Sequence, residues 1–388
     1  MSIDPYLGPM TASPAQRSRA VALANSIFRA KGGGDMGTQF PLLFHPDRLE
    51  QVRIFADDAG RPISMVGTAT DEVALLGCPA RVGCVGAVCT AEPARGQGLA
   101  GRLVEDAIDR AWAEGVSVML VSGHRSLYLR RGWTSTGRFV RNHLKPESLT
   151  AQDDLQISEL TQDDCGEALA LHELEPVRFR RTSGDYAAQV GCGWTVNRPG
   201  KTFLVRRAGR AVAVISGNRT TPPGGELTLG VPELAGSREA ILGALPAIRA
   251  EFCPEASDVV IEGYPHDREL ADACRRRGGR AETIAHLGAV KVLDAGRLWE
   301  AFGPLLRERI GPEAERIRLH AEGDRLAIAT LTFELDGETV SLTGNREAVT
   351  ALFGAAEAAP LAGVTGRLAD LLRRALPLPL PMYGLNYA

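Results

Sequence analysis

The chain has 388 residues, of which 44% are hydrophobic and 23% charged, a composition typical of globular proteins and not of disordered or fibrous ones. This length exceeds the size at which one hydrophobic core keeps growing, so we expect two or three domains. Its 44 basic and 47 acidic residues give a formal net charge of -3, which disfavours nucleic acid and acidic membranes as primary partners. The sequence has neither a signal-peptide pattern nor an apolar run that could span a bilayer, so we expect a cytoplasmic protein.

The 7 cysteines are dispersed and never form a C-x-x-C pair, so neither a disulfide framework nor a zinc site is predicted. The 7 histidines show no metal constellation either, and we expect no metal site. We interpret the cysteines as small buried hydrophobic residues. A nucleophilic Cys89 is the less favoured alternative, because no His or Asp stands at a family-typical spacing from it.

The first segment, to about residue 146, begins with a meander. Residues 51–56 and 63–70 alternate apolar and polar character around an Asp-Asp-Ala-Gly turn, which predicts two antiparallel strands. A β-branched run at 84–90, apolar residues at helical spacing within 95–115 and an apolar run at 116–121 follow. Strand, helix, strand in this order indicates a right-handed crossover in a mainly parallel region, and therefore an α/β or α+β domain.

The second segment repeats this pattern in a degenerate form. A strand beginning at Leu155 and a helix at 163–173 lead into strands at 203–207 and 211–217 and a helix at 237–252. An internal duplication is therefore predicted.

The third segment, from about residue 287, is predicted to combine strands with helices. Strands are expected at 289–293, 325–335 and 339–343, with an Asp-Gly hairpin turn between the last two. A helix at 367–376 precedes a proline-rich stretch, whose fixed dihedral angles favour an extended tail.

The strongest local signal is the run V-C-T-A-E-P-A-R-G-Q-G-L-A-G at residues 88–101, a strand that leads through a glycine-rich turn into a helix. Unpaired N–H groups and the helix dipole make such a terminus an anion site, and glycines let a pyrophosphate approach the backbone. The alternative is an ordinary strand-to-helix turn. The run is not a dinucleotide fingerprint, which needs a third glycine, nor a P-loop, which needs Gly-Lys-Ser/Thr.

This run resembles the R-x-x-G-x-G/A pyrophosphate loop of the GCN5-related N-acetyltransferases, with Arg95, Gly98 and Ala100 at the three positions. The resemblance implies acetyl-CoA as co-substrate, bound partly by a strand that splays from its neighbour and pairs with the pantetheine arm. Gly123 and His124 would lie near the far side of the cofactor. The cofactor-binding residues implied by the resemblance are Val88, Cys89, Thr90, Arg95, Gly96, Gln97, Gly98, Leu99, Ala100, Gly101, Gly123 and His124.

A second signal, S-L-Y-L-R-R-G-W at residues 126–133, resembles the Y-x-x-x-G-[FYW] segment of the same acetyltransferases and gives Tyr128 the catalytic position. A phenol beside the CoA sulfur can donate its proton as the thiolate leaves, which general acid catalysis makes worth about 10²–10⁴-fold. The alternative is a half-buried packing residue.

The layout of the whole chain resembles the Eis (enhanced intracellular survival) family. That resemblance implies an α+β (α/β) fold with two tandem acetyltransferase-like domains, residues 1–146 and 147–286, followed by a sterol-carrier-like α+β domain, residues 287–388. It also implies a trimer-based assembly up to a hexamer, and a C-terminal carboxylate, here that of Ala388, as general base.

The second half contains no equivalent of the glycine loop, because residues 228–237, where one is expected, include no basic residue. One active site per chain is therefore predicted. For the acceptor, Asp35 in the glycine-rich segment near residues 32–36 is a candidate partner of a cationic amine, and a flexible loop is the alternative.

Together these patterns predict an acetyl-CoA-dependent N-acetyltransferase that transfers acetyl directly to an amine of the aminoglycoside, polyamine or lysine type. A non-catalytic acyl-CoA or lipid-binding protein is the alternative from another class.

Overall fold

The computed structural model describes residues 6–355 and 361–387, whose contacts divide the chain into two compact units. The first unit contains the chain up to residue 136 together with 287–378, and the second contains 137–286 together with 379–387. Both units combine helices with mixed sheets, which confirms the predicted α+β class. Residues 137–146, predicted in the first domain, belong to the second unit, and residues 287–378, predicted in a third domain, belong to the first unit. The three-domain division stays a prediction.

The elements are numbered in chain order. The first are β1 (Leu7–Thr11), α1 (Pro14–Phe28), α2 (Met36–Gln39), β2 (Val52–Ala56), β3 (Pro62–Leu75), β4 (Cys78–Thr90), α3 (Leu99–Ala113), β5 (Val118–Val121) and α4 (Ser126–Leu129). The next are β6 (Phe139–Leu144), β7 (Leu155–Glu159), α5 (Cys165–His172), β8 (Val177–Phe179), α6 (Ser183–Gly191), β9 (Trp194–Thr195), β10 (Arg198–Arg207), β11 (Arg210–Thr220), β12 (Thr228–Gly236), α7 (Arg238–Phe252), β13 (Asp258–Gly263), α8 (Arg268–Arg276) and β14 (Arg280–Ile284). The last are β15 (Ala289–Val292), α9 (Ala295–Ala301), α10 (Gly303–Ile310), β16 (Arg318–Gly323), β17 (Ile328–Leu335), β18 (Glu338–Thr343), α11 (Asn345–Phe353) and α12 (Arg367–Ala375).

The main sheet of the first unit has the strand order β1-β2-β3-β4-β5-β15. Only β4 and β5 run parallel within this order, and α3 connects them, as the strand-helix-strand pattern predicted. The helix buries one apolar face, and fully burying such a side chain contributes about 1.5–3 kcal/mol. Its buried apolar residues are Leu99, Leu103, Val104, Ala107, Ile108 and Ala111.

The strands β4 and β5 separate at their carboxyl ends. They pair from Val82 opposite Val118 to Val85 opposite Val121, where β5 ends, whereas β4 continues to Thr90. Next to the point of separation Ala87 adopts a left-handed conformation with φ of 51°, and the register with β3 shifts there. An extra residue of this kind bends a strand away from its neighbour, so the sheet opens beyond residue 86.

The rest of the first unit comes from residues 287–378. Its strand β15 pairs with β5, and β16, β17 and β18 form a separate antiparallel meander. Asp336 and Gly337 both have positive φ between β17 and β18, as the predicted Asp-Gly hairpin turn requires. A sterol-carrier-like identity for this stretch stays a prediction.

The second unit repeats the parallel pair and its crossover helix. Its main sheet has the order β14-β6-β13-β12-β11-β10-β7, in which β12 and β13 run parallel and α7 connects them. Their pairing ends at Val231 opposite Ile261, while β12 continues to Gly236. The strand β6, which the sequence analysis did not predict, pairs with β13 and β14. No helix within 6–355 and 361–387 is long and apolar enough to cross a membrane.

Candidate active site

The glycine loop lies between the end of β4 and the start of α3. Within the predicted segment 95–115 the helix begins at Leu99, the first of the apolar residues at helical spacing, and a short 3₁₀ turn at Glu92–Ala94 precedes the loop. The helix begins only there because of the backbone of Gly96 and Gly98, whose φ angles are 79° and 78°. This left-handed conformation costs about 1–2 kcal/mol for a residue with a Cβ, so the glycines extend the loop at the expense of the helix.

The loop presents backbone donors to solvent. Arg95, Gly96, Gln97 and Gly98 are all exposed, and α3 starts at its N-cap Gly98 without a side-chain hydrogen bond. The first N–H groups of a helix have no partner within the helix, and the helix dipole adds partial positive charge at the same place. The end of α3 is therefore suited to an anion such as a pyrophosphate.

The end of β4 joins this loop through Arg95 and Cys89. The Nε of Arg95 donates to the carbonyl of Thr90 at 3.2 Å, which holds the arginine back against the strand end. Cys89 is buried, and burial, opposed by Arg95, raises the pKa of its thiol to about 12. A thiol that stays protonated at neutral pH is a poor nucleophile, which agrees with the less favoured status of that alternative.

The backbone of β4 offers a row of hydrogen-bonding groups on its open side. Ala91 donates to the carbonyl of Ile63 at 2.7 Å, and Thr90 lies opposite Ser64 in the ladder with β3. Alternate residues of an antiparallel ladder turn their N–H and C=O groups away from the partner strand. Thr90 therefore faces the side on which β5 has ended, where an extended ligand can pair with it, whereas Val88 lies in the bulge and its contact with a ligand stays a prediction.

Tyr128 lies in the turn that follows β5. Its side chain is 7% exposed and packs edge-on against Trp133, with the ring centroids 5.8 Å apart. A Cβ at Gly123 would lie 3.4 Å from Cε2 of Tyr128, so the glycine permits close packing of the phenol against the backbone. His124, the neighbour of Gly123, is exposed.

Two residues that sequence reasoning missed fix the turn carrying Tyr128. Lys291 on β15 donates from Nζ to the carbonyls of Arg131 at 2.9 Å and Leu326 at 2.6 Å. Asn345 at the start of α11 donates to the carbonyl of Gly132 at 2.7 Å. The only sequence signal was a lysine inside the short apolar strand A-V-K-V of residues 289–292.

Burial lowers the pKa of Lys291. The side chain is 1% exposed, and burial lowers its pKa to about 8, with only Asp324 acting in the opposite direction. The Nζ also lies 5.5 Å from the ring centroid of Trp133. Most lysines reach solvent. Lys291 instead donates its hydrogen bonds to carbonyl groups inside the first unit.

The structure separates the predicted cofactor residues of α3 by environment. Leu99 is buried in the core, and Ala100 is half-buried. Gly101 lies beneath Arg131, because a Cβ there would stand 2.4 Å from the Nη2 of that arginine. Arg131 in turn pairs with Glu105 at 2.8 Å. Gly101 thus packs against a side chain of its own unit, and its contact with a cofactor stays a prediction.

The corresponding place in the second unit is filled by side chains of that unit. Strand β12 runs directly into Ser237, whose Oγ accepts from the N–H of Ala240 at 3.2 Å and caps α7. Glu175 accepts from the N–H of Gly236 at 2.8 Å and pairs with Arg238 at 2.6 Å. A carboxylate of the chain therefore already binds a backbone N–H group directly before this helix.

Arg238 balances this internal carboxylate. Its Nε also donates to Asp267 at 2.9 Å, so two acidic residues share one arginine. Burial alone lowers the pKa of Arg238, but hydrogen bonding to Glu175 and the two negative charges raise it above its ordinary value. The guanidinium stays charged and pairs with two carboxylates of the chain, which leaves the cluster with a net negative charge that disfavours a bound anion.

Two further predicted residues have other surroundings. Asp35 accepts from the N–H of Thr38 at 2.9 Å as the N-cap of α2, and it accepts a hydrogen bond from Asn25, which is the main cause of its lowered pKa. Its carboxylate is therefore used inside the N-terminal segment. Ala388 lies outside the described residues.

The match to a known protein family lies within the first unit. Residues 24–133, which include the loop and Tyr128, match the sequence model of the acetyltransferase (GNAT) family. A comparison with curated protein sequences gave no match.

Solved structures resemble nearly the whole chain. A GCN5-related N-acetyltransferase from Kribbella flavida is 15% identical with a TM-score of 0.63, covering 96% of this chain and 98% of its own. One from Anabaena variabilis is 12% identical with a TM-score of 0.62, covering 97% and 98%. Eis1 from Mycobacterium abscessus is 12% identical with a TM-score of 0.55, also covering 97% and 98%. The chain therefore has the fold of these acetyltransferase structures, which confirms the predicted fold class.

Proposed function

We propose that this protein is an acetyl-CoA-dependent N-acetyltransferase that moves the acetyl group directly to an amine. The observation that carries the proposal is the exposed, uncapped N-terminus of α3 beside the open end of β4. The family match over residues 24–133 supports the same site.

The proposed cofactor position follows the free backbone groups. The pyrophosphate would accept from the N–H groups of the loop at residues 96–101, with Arg95 adding a charge-assisted contact. The pantetheine arm would pair with the end of β4 at residues 88–90 as an added strand does. Gly123 and His124 would lie on the opposite side, where β5 ends.

The proposed chemistry needs no covalent enzyme intermediate. The amine attacks the thioester carbonyl, a C–N bond forms, and the C–S bond breaks with its electron pair leaving on sulfur. Tyr128 donates its phenolic proton to that sulfur, and the α-carboxylate of Ala388 accepts the proton that the amine loses. The two proton transfers leave the net charge of the site unchanged.

The acceptor class, the cellular location and the assembly belong to the proposal as well. Amines of aminoglycosides, polyamines and lysine side chains are the acceptors to test, in a cytoplasmic protein that forms homotrimers or hexamers. Sedimentation velocity measures the assembly directly.

The first test is CoA release, measured with a thiol reagent, from acetyl-CoA and a panel of these amines. Tyr128→Phe should lower kcat by about 10²–10⁴-fold, because it removes the general acid but not the ring. Its dissociation constant for acetyl-CoA should not change.

Tyr6→Phe is the matched control, because it removes another phenol of the first unit, one that accepts a hydrogen bond from Gln97 at 3.3 Å. Its kcat should equal that of the wild type. Acetyl-CoA binding without turnover on any amine would favour the binding-protein alternative, and unchanged turnover in Tyr128→Phe would remove the acid role.

A further inference from the structure

The opening between β12 and β13 contains a segment of the chain itself. Residues 379–387 belong to the second unit, and two of their N–H groups reach side chains on opposite sides of the opening. Met382 donates to the Oη of Tyr264, just beyond β13, at 3.0 Å. Leu385 donates to the Oε2 of Glu233, on β12, at 2.8 Å. The segment therefore bridges the two separating strands.

Glu233 and Arg181, which we name the tail clamp, connect the segment to an ion pair of the second unit. The Nη1 and Nη2 of Arg181 donate to the two carboxylate oxygens of Glu233 at 2.6 Å and 2.9 Å. The Nε of Arg181 donates to the Oδ1 of Asn386 at 2.7 Å. Each clamp residue thus contacts its partner and the segment together. The side chain of Arg181 is 3% exposed and that of Glu233 is 14% exposed, so the contacts are sheltered from water.

The shape of the segment matches the clamp. Gly384 has φ of 48°, and a Cβ at this position would stand 1.8 Å from the Oε2 of Glu233. Only glycine lets the backbone approach the carboxylate this closely. On the other side Gln189 donates from Nε2 to the carbonyl of Leu385 at 3.0 Å. The segment is therefore held by its backbone as well as by the Asn386 side chain.

The clamp is an ion pair at neutral pH. Burial on its own raises the pKa of Glu233, but the charge of Arg181 lowers it below its ordinary value. His172 lies 3.6 Å from Glu233, and burial, opposed by the Glu233 charge, lowers its pKa to about 4. The histidine is neutral at pH 7, so the charge of Glu233 is balanced by Arg181. An ionised acceptor strengthens the hydrogen bond from Leu385.

We propose that the opening of the second unit is a docking site for the C-terminal segment of the same chain, and that Arg181 and Glu233 are positioning residues for residue 388. In the proposed site of the first unit, the opening between β4 and β5 accommodates a cofactor. In the second unit, the opening between β12 and β13 would accommodate the chain itself. The catalytic consequence rests on the proposed function, in which the carboxylate of residue 388 is the base. A displacement of about 1 Å can cost about 10²-fold in rate, so a loosened segment should lower turnover.

The experiment measures hydrogen exchange of the peptide covering residues 382–387 in the full-length protein. Glu233→Gln breaks the clamp from the sheet, and Asn386→Ala breaks it from the segment without touching the sheet. Both variants should increase the exchange rate of this peptide about 10-fold or more, while peptides covering β11 keep the wild-type rate. In amine acetylation both should lower kcat about 10-fold or more and leave the acetyl-CoA KM unchanged.

Glu175→Gln is the matched control, because Glu175 is 13% exposed in its side chain and forms a bidentate pair with the buried Arg238. Any acceleration of its 382–387 peptide should be smaller than in the clamp variants and should match that of the peptides covering β11, because breaking this pair lowers the stability of the whole unit. Unchanged exchange of that peptide in both clamp variants would overturn the proposal, as would equal acceleration in Glu175→Gln. If the wild type acetylates no amine, the proposed function fails but the exchange rates still decide the docking. If exchange accelerates while kcat stays constant, the docking stands and its role in positioning a base is wrong.

Discussion

The two units use the same topology for different ends. In each, two parallel strands joined by a crossover helix separate at their carboxyl ends, β4 from β5 and β12 from β13. In the first unit the helix begins at an exposed glycine with no side-chain cap. In the second unit a serine caps the helix and a buried carboxylate binds the adjacent N–H group. The opening becomes an anion site only where the chain leaves the helix N-terminus unsatisfied.

The connection between strand and helix explains this difference. In the first unit residues 91–98 separate β4 from α3, whereas in the second only Ser237 separates β12 from α7. A single connecting residue cannot form a loop that surrounds a phosphate group. In the second unit Ser237 caps the helix, and Glu175 accepts from the N–H of Gly236, the last residue of β12, while it pairs with Arg238.

The largest effect is expected from Glu175→Ala, which empties the anion position of the second unit. Arg238 would lose one of its two buried acidic partners, and breaking a buried ion pair costs about 3–5 kcal/mol of unfolding free energy. Urea unfolding should show this loss, and sulfate should restore part of it by binding at the vacated helix end.

The control for this variant is Glu239→Ala on the same helix, because Glu239 is 42% exposed in its side chain and pairs with Arg276 and Arg277. Exposed pairs contribute about 0–1 kcal/mol, so the loss should be far smaller. Isothermal titration should still find one acetyl-CoA per chain in Glu175→Ala. Two binding sites would show that the side chain alone, and not the missing loop, closes the second opening.

A smaller effect, about 100-fold in acetyl-CoA affinity, is expected from Gly98→Val in the first unit. The left-handed φ costs about 1–2 kcal/mol for a residue with a Cβ, and the displaced loop would lose its helix-end contacts to the anion, worth up to about 2 kcal/mol. Isothermal titration with acetyl-CoA measures the change.

Gly209→Val provides the matched strain. Gly209 lies in the turn between β10 and β11 with φ of 77°, and a Cβ there, as at Gly98, would meet nothing within 4 Å. Its variant should bind acetyl-CoA with wild-type affinity. Equal losses in both variants would mean that backbone strain, and not the loop, governs binding.

The sequence predicted the features that depend on neighbouring residues. Hydrophobic periodicity placed α3 and α7 within a few residues, and the alternation around Asp336 and Gly337 gave the hairpin of β17 and β18. The glycine loop was recognisable because positive φ angles restrict the residue type. These signals are local, so they survive without knowledge of the fold.

Features that depend on distant pairing were missed. Strand β6 follows the first half in the chain but pairs with β13 and β14 of the second, and nothing in its own six residues indicates those partners. Lys291 and Asn345 reach the turn of Tyr128 from residues more than a hundred positions away.

The smallest effect is expected from the contacts of the residues that follow β5 in the first unit and β13 in the second. In the second unit Tyr264 accepts a hydrogen bond from the tail, whereas in the first the turn of Tyr128 depends on the buried Lys291. Because the folded pKa of Lys291 is about 8 and the ordinary value is 10.5, the unfolded chain holds the proton between these pH values when the folded chain has lost it. The free energy of unfolding should therefore rise with pH in this window, by about 2 kcal/mol between pH 8 and 10.

Lys291→Met should abolish the rise in urea unfolding, whereas Lys201→Met, which removes a lysine paired with Glu159 at the surface, should retain it. If the free energy of unfolding of the wild type and of Lys291→Met depends on pH in the same way, Lys291 stays protonated throughout this range. The turn of Tyr128 would then be held by a permanent charge, as the tail is by Arg181.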